Sequence, residues 1–508
     1  MLLKDIIINR KNDSAVALKY KTDFVTYKQL HSLAEKHACN IRRFGLDTRN
    51  IGVFLPNSIR YSVAYFAIAM LDKVIVPINI QSKLLEVKGV LEYCELALVI
   101  TDEVNCPILK AFMDTCQYRT AIYNMDNESF EETGLNHKPV PITTSEFDDT
   151  NEDTVTLMLH TSGTTRSPKR VMLTHKNLIS NVKSIIESLK LTGNDRTLIA
   201  LPMFLSSGNV SQFLTHLFLG AAIVIMDGMF MPDKFYKLVQ EEKITNFTGV
   251  PFIMSVLLNY KYKDLYDIST LRLICFGGAP TPAAKARQLI EAFPSVHFVH
   301  MYGQTEGSTR ITHLLPDDSI RKLGSAGKPI PGVQLRIVDK ENNDLSPGET
   351  GEIIVAGKNV MKGYYKRPEE TNSTLKDGWL HTGDLGWLDS EGFVYISGRM
   401  KNVIIRAGLN LYPEEIEEFL KCHPAVKEAL VTGRDDELLG EIPIAKVVLK
   451  EDVCDIDANK LMKYCMEGLS YYKAPHEITI VHELQKTTSG KIIRYYREED
   501  ELWKTTLG

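Results

Sequence analysis

A nine-residue segment rich in hydroxyl groups, residues 161–169, is the strongest chemical feature of the sequence. It lies between a predicted strand and a predicted helix. Hydroxyls and exposed backbone N–H groups donate to phosphate oxygens, and a lysine adds positive charge. The segment predicts either a phosphate-binding loop or an ordinary Ser/Thr loop that caps the following helix. Since GxxxxGK[ST] occurs nowhere in the chain, it is not a Walker loop. The candidate phosphate-binding residues are Thr161, Ser162, Gly163, Thr164, Thr165 and Lys169.

A second segment, residues 302–306, follows a predicted strand that ends near His300. Open α/β sheets bind ligands at the carboxyl ends of their parallel strands. At such a place Tyr302 can stack on a base, Thr305 can bind a phosphate, and Glu306 can hold Mg²⁺. A glycine-rich turn without a ligand is the alternative that this segment leaves open.

Two further segments each end in a charged residue. In residues 377–384, Asp384 follows a Gly/Thr turn, where its carboxylate can accept hydrogen bonds from a ribose diol. An ordinary β-turn is the alternative. In residues 489–491, Lys491 follows a glycine in a terminal loop. Because a lysine in such a place is usually solvated, a catalytic role for it needs independent support.

The elements predicted around these segments alternate between strands and helices from residue 154 onward. Such alternation is typical of a parallel sheet flanked by helices. The predicted strands cover residues 154–159, 221–226, 246–250, 271–276 and 296–300, and the predicted helices cover residues 177–189, 233–242 and 282–293.

The last third of the chain has a different pattern. From about residue 332, short apolar runs stand between glycine-rich turns, which predicts a β-rich subdomain over about 332–399. Beyond it, a helix at 413–420 and several strands predict a small α+β domain over residues 400–508. The sequence therefore predicts an α/β protein with a large N-terminal domain, residues 1–399, made of parallel-sheet layers plus the β-rich subdomain.

Composition narrows the class of protein. The chain has 508 residues, too many for one simple core, and its net charge is 59 − 64 = −5, which excludes a general polyanion binder. With 44% apolar residues it is not disordered. Its 8 cysteines form no CxxC pair, which favours a reduced, cytoplasmic protein. The apolar run 62–71 is too short to span a bilayer and predicts a buried helix instead.

Taken together and in order, these segments resemble the adenylate-forming (AMP-binding) superfamily. That superfamily includes acyl-CoA synthetases, luciferases and the adenylation domains of peptide synthetases, and the chain is most similar to a stand-alone acyl-CoA or acyl-carrier ligase. The resemblance runs from Thr161 to Lys491, most of the chain. Besides 161–169, the matching segments are 276–280, 302–306, 351–353, 363–365, 368–371, 378–384, 398–401 and 489–492.

The resemblance implies an activity and its cofactors. A carboxylic acid is adenylated with ATP and Mg²⁺, pyrophosphate is released, and the acyl group passes to the thiol of coenzyme A or of a carrier-protein pantetheine. It also implies a hinge at Lys401, about which the mobile C-terminal domain turns between the two half-reactions, and a thiol channel beside Gly408.

The resemblance further implies a role for individual residues. Residues 161–169 hold the β- and γ-phosphates, and Lys491 bridges the attacking carboxylate and the α-phosphate. The other implied contacts are Gly278 and Ala279 to adenine through the backbone, Tyr302 to its face, Thr305 to the α-phosphate, Glu306 to Mg²⁺, and Asp384 and Arg399 to the ribose.

The segment 204–209 bears on the acid. Amino-acid adenylating domains have an aspartate in this neighbourhood, but here the segment contains no acidic residue. Because an unpaired buried ammonium is costly, we expect a substrate without an α-amino group, a fatty or other apolar acid. The predicted pocket residues are Phe204, Ser207, Val250, Phe276, Gly277, Met301 and Gly303, although the bulky ones among them equally suit an ordinary core.

Three positions depart from the family pattern. Arg166 and Arg170 stand where glycine is usual, and Leu205 stands where many relatives have histidine. We expect Arg166 either to add a phosphate contact or to be neutral, and Arg170 to lie on the surface.

Two alternatives remain open at this point. One is a stand-alone aryl- or amino-acid adenylating enzyme that loads a carrier protein. The other, based on the three departures, is a non-catalytic adenylate-binding relative.

Overall fold

The structure is a computed structural model. It describes residues 1–45, 48–82, 84–113, 120–133, 150–160, 169–278, 281, 283–406, 409–436, 439–451, 456–469, 473–486 and 492–494.

Helices and strands cover most of the described chain. The α-helices are α1 (Asp5–Ile8), α2 (Tyr27–Phe44), α3 (Ile59–Met70), α4 (Leu84–Tyr93), α5 (Cys106–Met113), α6 (His175–Leu189), α7 (Thr215–Leu219), α8 (Pro232–Glu242), α9 (Pro251–Asn259), α10 (Ala283–Ala292), α11 (Pro368–Thr374), α12 (Pro413–Cys422) and α13 (Ala458–Gly468). A π-helix spans Ser207–Leu214, and short 3₁₀ helices span Lys263–Leu265, Thr305–Gly307, Pro316–Asp318 and Met400–Asn402.

The strands are β1 (Val16–Tyr20), β2 (Asp23–Thr26), β3 (Asn50–Val53), β4 (Val74–Pro77), β5 (Leu98–Thr101), β6 (Thr120–Asn124), β7 (Ser129–Thr133), β8 (Val155–His160), β9 (Arg170–Thr174), β10 (Arg196–Ile199), β11 (Ala222–Ile225), β12 (Asn246–Gly249), β13 (Leu273–Gly277), β14 (His297–Tyr302), β15 (Thr312–Leu314), β16 (Lys328–Pro329), β17 (Val333–Val338), β18 (Gly351–Gly357), β19 (Gly363–Tyr364), β20 (Leu375–Lys376), β21 (Trp379–Leu388), β22 (Val394–Arg399), β23 (Ile404–Arg406), β24 (Leu409–Leu411), β25 (Val426–Asp436), β26 (Gly440–Leu449) and β27 (Glu477–Ile480).

Two large sheets form the N-terminal part. The first has the order β16-β15-β14-β13-β12-β10-β11-β1-β2, and its strands β14, β13, β12, β10, β11 and β1 run parallel. The second has the order β19-β9-β8-β4-β3-β5-β6-β7. Side chains of α2, α3, α6 and the π-helix pack between the two sheets in one continuous apolar core. The predicted parallel α/β architecture is confirmed.

The buried helix predicted from the apolar run 62–71 is confirmed as α3. Every residue from position 61 to position 69 is buried, because apolar side chains surround this helix on all sides. Within the described residues, no helix is both long enough and apolar enough to cross a membrane. The cytoplasmic location stays a prediction.

Two smaller sheets follow in the chain. The antiparallel sheet β17-β18-β21-β20, with β22 beside β21, occupies the region predicted to be β-rich. The last sheet, β24-β23-β26-β25 with β27 beside β26, packs against α12 and α13 over a core of its own. The domain boundary near residue 400 stays a prediction.

One ion pair links the chain end to this last core. Arg494 donates from both terminal nitrogens to the Glu417 carboxylate, at 2.7 and 2.8 Å, and also to the Val431 carbonyl. Burial raises the pKa of Glu417, and the nearby Arg494 charge opposes that rise. Such a two-pronged pair fixes both the position and the direction of the segment that carries Arg494.

The expectation that Arg170 lies on the surface is wrong. Arg170 begins β9 and is only 3% exposed, with its guanidinium donating to the Pro77 carbonyl at 3.4 Å. Its strand lies inside the second sheet, between β8 and β19, so the side chain is covered on both sides. An arginine in sequence suggests exposure, but here its strand position decides its burial.

Candidate active site

The carboxyl ends of two neighbouring parallel strands bring the first group of predicted residues together. β13 and β14 pair in register, with Gly277 opposite Met301. β14 ends at Tyr302, and the 3₁₀ helix Thr305–Gly307 follows three residues later. Tyr302, Thr305 and Glu306 therefore lie at the edge of the sheet where open α/β folds bind ligands.

Two glycines here are required by close backbone contacts. A Cβ on Gly303 would lie 1.9 Å from the Thr309 carbonyl oxygen, and a Cβ on Gly277 would lie 2.2 Å from the Met301 carbonyl oxygen. Gly278 differs, because its φ of +83° is left-handed and, apart from its chain neighbours, no atom of the described residues lies within 4 Å of the place for its Cβ. The backbone at Gly278 is thus open to a flat ligand.

Asp384 is a buried carboxylate held from two directions. It is 3% exposed, accepts from the Tyr302 hydroxyl at 2.8 Å, and pairs with Arg399 Nε at 2.8 Å. The antiparallel register of β21 and β22 places Asp384 directly opposite Arg399. Burial, and then the Asp384 charge, raise the pKa of Tyr302, and the same carboxylate raises the pKa of Arg399. Tyr302 therefore stays protonated and donates to Asp384.

Glu306 is held by a tyrosine that the sequence analysis left without a role. Tyr364 donates its hydroxyl to Glu306 Oε1 at 2.8 Å, and the Lys169 ammonium lies 4.6 Å from the centre of the Tyr364 ring. Burial first, and then Glu306, raise the pKa of Tyr364. Tyr364 belongs to β19, which pairs with β9 of the second sheet. The matching segment 363–365 was the available signal, but nothing in it indicated a partner.

The segment 204–209, which was predicted to line the acid pocket, lies next to Thr305. Ser206 Oγ and Thr305 Oγ1 lie 3.3 Å apart, and the half-buried Phe204 and Ser207 flank Ser206. Ser207 begins the π-helix. π-helical turns are rare and are frequently found at functional sites.

The remaining predicted pocket residues divide between two faces of the sheet. Met301 packs in a small apolar cluster with Cys275. Phe276 lies in a different cluster, against which Val250 packs, and its ring stacks on His300 at 5.1 Å between centres. Met301 with Gly277 and Gly303 therefore forms one wall, while Phe276 and Val250 are placed with the core behind it.

The polar groups of this site suit a nucleoside triphosphate bound together with Mg²⁺. Among the described residues there is no group of three or more His, Cys, Asp or Glu side chains that could hold a metal by itself. A lone carboxylate such as Glu306 suits Mg²⁺, which is typically held by one or two carboxylates together with substrate phosphates. In addition, the Gln304 Nε2 amide, between Gly303 and Thr305, is buried and has no hydrogen-bond partner among the described residues. A buried amide donor of this kind awaits an acceptor.

Several predicted site residues lie outside the described residues: Thr161, Ser162, Gly163, Thr164, Thr165, Arg166, Ala279, Gly408 and Lys491. The backbone of Lys401 lies in the 3₁₀ helix Met400–Asn402, directly after Arg399. Beside it, Asn402 donates to Glu414 at the start of α12.

The close contact at Gly303 predicts that alanine destabilises the protein there but not at Gly89. Gly303→Ala places a Cβ against a backbone oxygen, so we expect it to lower the free energy of unfolding by about 1–3 kcal/mol. Gly89→Ala, at an exposed position of helix α4 where no described atom lies within 4 Å of the Cβ position, should raise it by about 0.5–1 kcal/mol. Scanning calorimetry of the full chain compares the two. A Gly303→Ala protein as stable as the wild type would contradict the described backbone.

Family models match most of the chain. The model described as AMP-binding enzyme matches residues 8–365, and the one described as AMP-binding enzyme C-terminal domain matches residues 415–491. A putative acyl-CoA synthetase, YngI, from Bacillus subtilis is 33% identical over 507 residues, covering 93% of this chain and 91% of that protein. A 2-succinylbenzoate–CoA ligase from Bacillus cytotoxicus is 31% identical, with 94% of both chains covered.

Solved structures agree with the sequence relatives. The o-succinylbenzoate CoA synthetase of Bacillus subtilis in complex with its acyl-adenylate intermediate matches with a TM-score of 0.84 at 29% identity, covering 96% of this chain and 97% of that one. The same enzyme with ATP and magnesium ion also matches with a TM-score of 0.84 and 29% identity, covering 96% and 98%. The chain therefore belongs to the AMP-binding enzyme family of adenylate-forming ligases.

Proposed function

We propose that this chain activates a carboxylic acid with ATP and Mg²⁺, releases pyrophosphate, and passes the acyl group to coenzyme A. The observation that carries the proposal is the pair of tyrosine–carboxylate hydrogen bonds, Tyr302 to Asp384 and Tyr364 to Glu306. They fix one carboxylate at each side of the 302–306 segment. The names of the curated relatives, which include 2-succinylbenzoate–CoA ligase and feruloyl-CoA synthase, support coenzyme A as the acceptor.

The nucleoside half of ATP is assigned to the Asp384 side. Adenine lies against the open backbone at Gly278, with the Tyr302 ring beside it. The ribose hydroxyls donate to Asp384, whose charge is kept in place by Arg399 and Tyr302. Because Arg399 is 46% exposed while Asp384 is nearly buried, the ribose can reach the pair from the solvent side.

The phosphates are assigned to the Glu306 side. Lys169 lies over the Tyr364 ring, and the hydroxyl of the same tyrosine donates to Glu306, so one tyrosine contacts both a cation and the carboxylate assigned to Mg²⁺. Mg²⁺, when bound, supplies positive charge to the phosphate oxygens. Thr305 donates its hydroxyl to the α-phosphate.

The chemical step joins two anions, the acid's carboxylate and the α-phosphate. Positive charge at the meeting point therefore lowers the barrier, largely through positioning and electrostatics. We assign this role to Lys491, carried by the C-terminal domain.

The acid is assigned to the wall formed by Gly277, Met301 and Gly303, with Phe204 and Ser207 opposite. The absence of an acidic residue from segment 204–209 supports an acid without an α-ammonium group. The relatives' names, which also include indoleacetate–CoA ligase, favour an aromatic carbon skeleton.

The proposed activity is tested by pyrophosphate release over a panel of aromatic, fatty and dicarboxylic acids. We expect at least one acid to give ATP-dependent pyrophosphate release, and coenzyme A to convert that acid to its thioester. Glu306→Gln should raise the Mg²⁺ concentration that half-maximal pyrophosphate release requires. Absence of turnover with every acid would contradict the proposal and favour a non-catalytic binding role.

A second prediction concerns the two half-reactions. Lys491→Ala should slow adenylation by about 10²–10³-fold, as when one charge-stabilising donor is removed, but should largely spare thioester formation from supplied acyl-adenylate. Single-turnover measurements of each half-reaction provide the comparison. Equal loss of both would argue against an alternation of the C-terminal domain about Lys401.

A further inference from the structure

Arg310 is a buried cation that the proposed reaction does not use. It has the largest side chain among the fully buried residues and is 2% exposed. Its Nε donates to Ser211 Oγ at 2.9 Å, its Nη1 lies 3.4 Å from His313 Nε2, and the Cys275 thiol lies beside it. Among the residues that the structure describes, no carboxylate pairs with it.

The described residues that contact the Arg310 guanidinium, namely Ser211, His313 and Cys275, all offer it neutral groups. Burial, and then the Arg310 charge, lower the pKa of His313, so the imidazole is neutral and can accept from Arg310. Burial raises the pKa of Cys275, which keeps its thiol protonated. A buried charge without a counter-ion is costly, and proteins normally pair it.

The guanidinium lies against the same elements that form the predicted acid pocket. Cys275 precedes Gly277 by two residues on β13, so their side-chain positions share one face of the strand. Two residues along a strand span roughly 7 Å. Ser211 likewise follows Ser207 by about one turn of the π-helix. Arg310 therefore contacts Cys275 and Ser211, each of which lies on the same element as a predicted pocket residue, Gly277 or Ser207, but farther from the carboxyl end of the sheet.

Neither Gly277 nor Gly303 adds a side chain between the pocket wall and Arg310. A Cβ at either position would collide with backbone oxygens, so both must remain glycine. The chain next to Arg310 is also held firmly. Ser308 and Thr309 have φ values of +56° and +96°, and Asn181 donates to the Arg310 carbonyl at 2.8 Å.

We propose that Arg310 is a specificity-determining residue that binds a second carboxylate at the far end of the acid, so that the preferred substrates are dicarboxylic acids. This inference rests on the proposed function. Arginine has five N–H donors, of which Ser211, His313 and Cys275 engage at most three. Within the described part of the chain, at least two N–H groups of Arg310 therefore remain for a carboxylate, which can accept two of them. The pocket is then apolar along its wall and positive at its inner end, rather than apolar throughout.

The wild-type enzyme already provides a test. Pyrophosphate release is measured with 2-succinylbenzoate, adipate and suberate, and with the monomethyl ester of each, in which the far carboxylate is neutral. We expect kcat/KM for at least one diacid to exceed that of its monoester by tenfold or more, because the ester leaves the guanidinium unpaired. Equal values for every diacid and ester would overturn the inference.

Variants then assign the preference to Arg310. In Arg310→Gln the diacid-to-monoester ratio should fall at least tenfold, with turnover of the monoester largely kept, and Arg310→Lys should retain part of the preference. Arg272→Gln, which removes an arginine paired with Asp195 just before β13, should leave the ratio unchanged. An equal loss with diacid and ester in Arg310→Gln would assign Arg310 to packing alone and overturn the inference.

Calorimetry gives a readout that is independent of turnover. The ligands are non-hydrolysable acyl-sulfamate analogues of the diacid adenylate and of the monoester adenylate, which lacks the far carboxylate. Their affinities for the wild type should differ at least tenfold, whereas Arg310→Gln should bind both about equally. Equal affinity for wild type would overturn the inference. Absence of pyrophosphate release with any acid would contradict the proposed function itself, and this inference with it.

Discussion

The arrangement of the site depends on one buried carboxylate that is shared between two layers of the protein. Asp384 belongs to the antiparallel sheet of the β-rich region, whereas Tyr302 ends the parallel strand β14. Because Asp384 is almost completely buried, removing its partners would leave an unpaired charge, so the two layers are held at a set distance. Arg399, which pairs with the same carboxylate, directly precedes the 3₁₀ helix that contains Lys401. The carboxylate thus connects the proposed nucleotide site with the predicted hinge.

A second constraint is the handling of charge. The proposed reaction brings anions together, and the charged side chains around it are held by neutral groups. Tyrosine hydroxyls donate to Asp384 and Glu306, and the face of the Tyr364 ring attracts the Lys169 ammonium. Fixed donors of this kind need no rearrangement during the reaction, which is why they stabilise a developing charge better than water does. In the proposal for Arg310, a fixed charge likewise binds the carboxylate at the far end of the acid. There a guanidinium lies among neutral groups and is complete only with an anion that the protein does not provide among its described residues.

Much of this could be predicted from the sequence, because short segments at strand ends retain their residue types and order. The segment 302–306 and Asp384 were recognised in this way, and alternating apolar runs predicted the parallel sheet. Side-chain pairing could not be predicted. The Asp384–Arg399 contact follows from the register of β21 and β22, which no local pattern specifies. Tyr364 lay in a recognised segment, but its bond to Glu306 depends on β19 joining a distant sheet. Arg170 was misplaced, and Arg310 was overlooked, because arginine in a sequence is normally a sign of exposure.

The most direct test of the account is the affinity for ATP when Asp384 loses its charge. Asp384→Asn keeps the size of the side chain but weakens both the pair with Arg399 and the acceptor offered to a ribose. Calorimetric titration of the full chain with ATP and Mg²⁺ should show at least a tenfold loss of affinity in Asp384→Asn, measured at a temperature where the variant's melting transition, lowered but still cooperative, shows it to be folded. The conservative Tyr302→Phe should show a smaller loss. An Asp384→Asn protein that binds ATP as tightly as the wild type would contradict the central role given to this carboxylate.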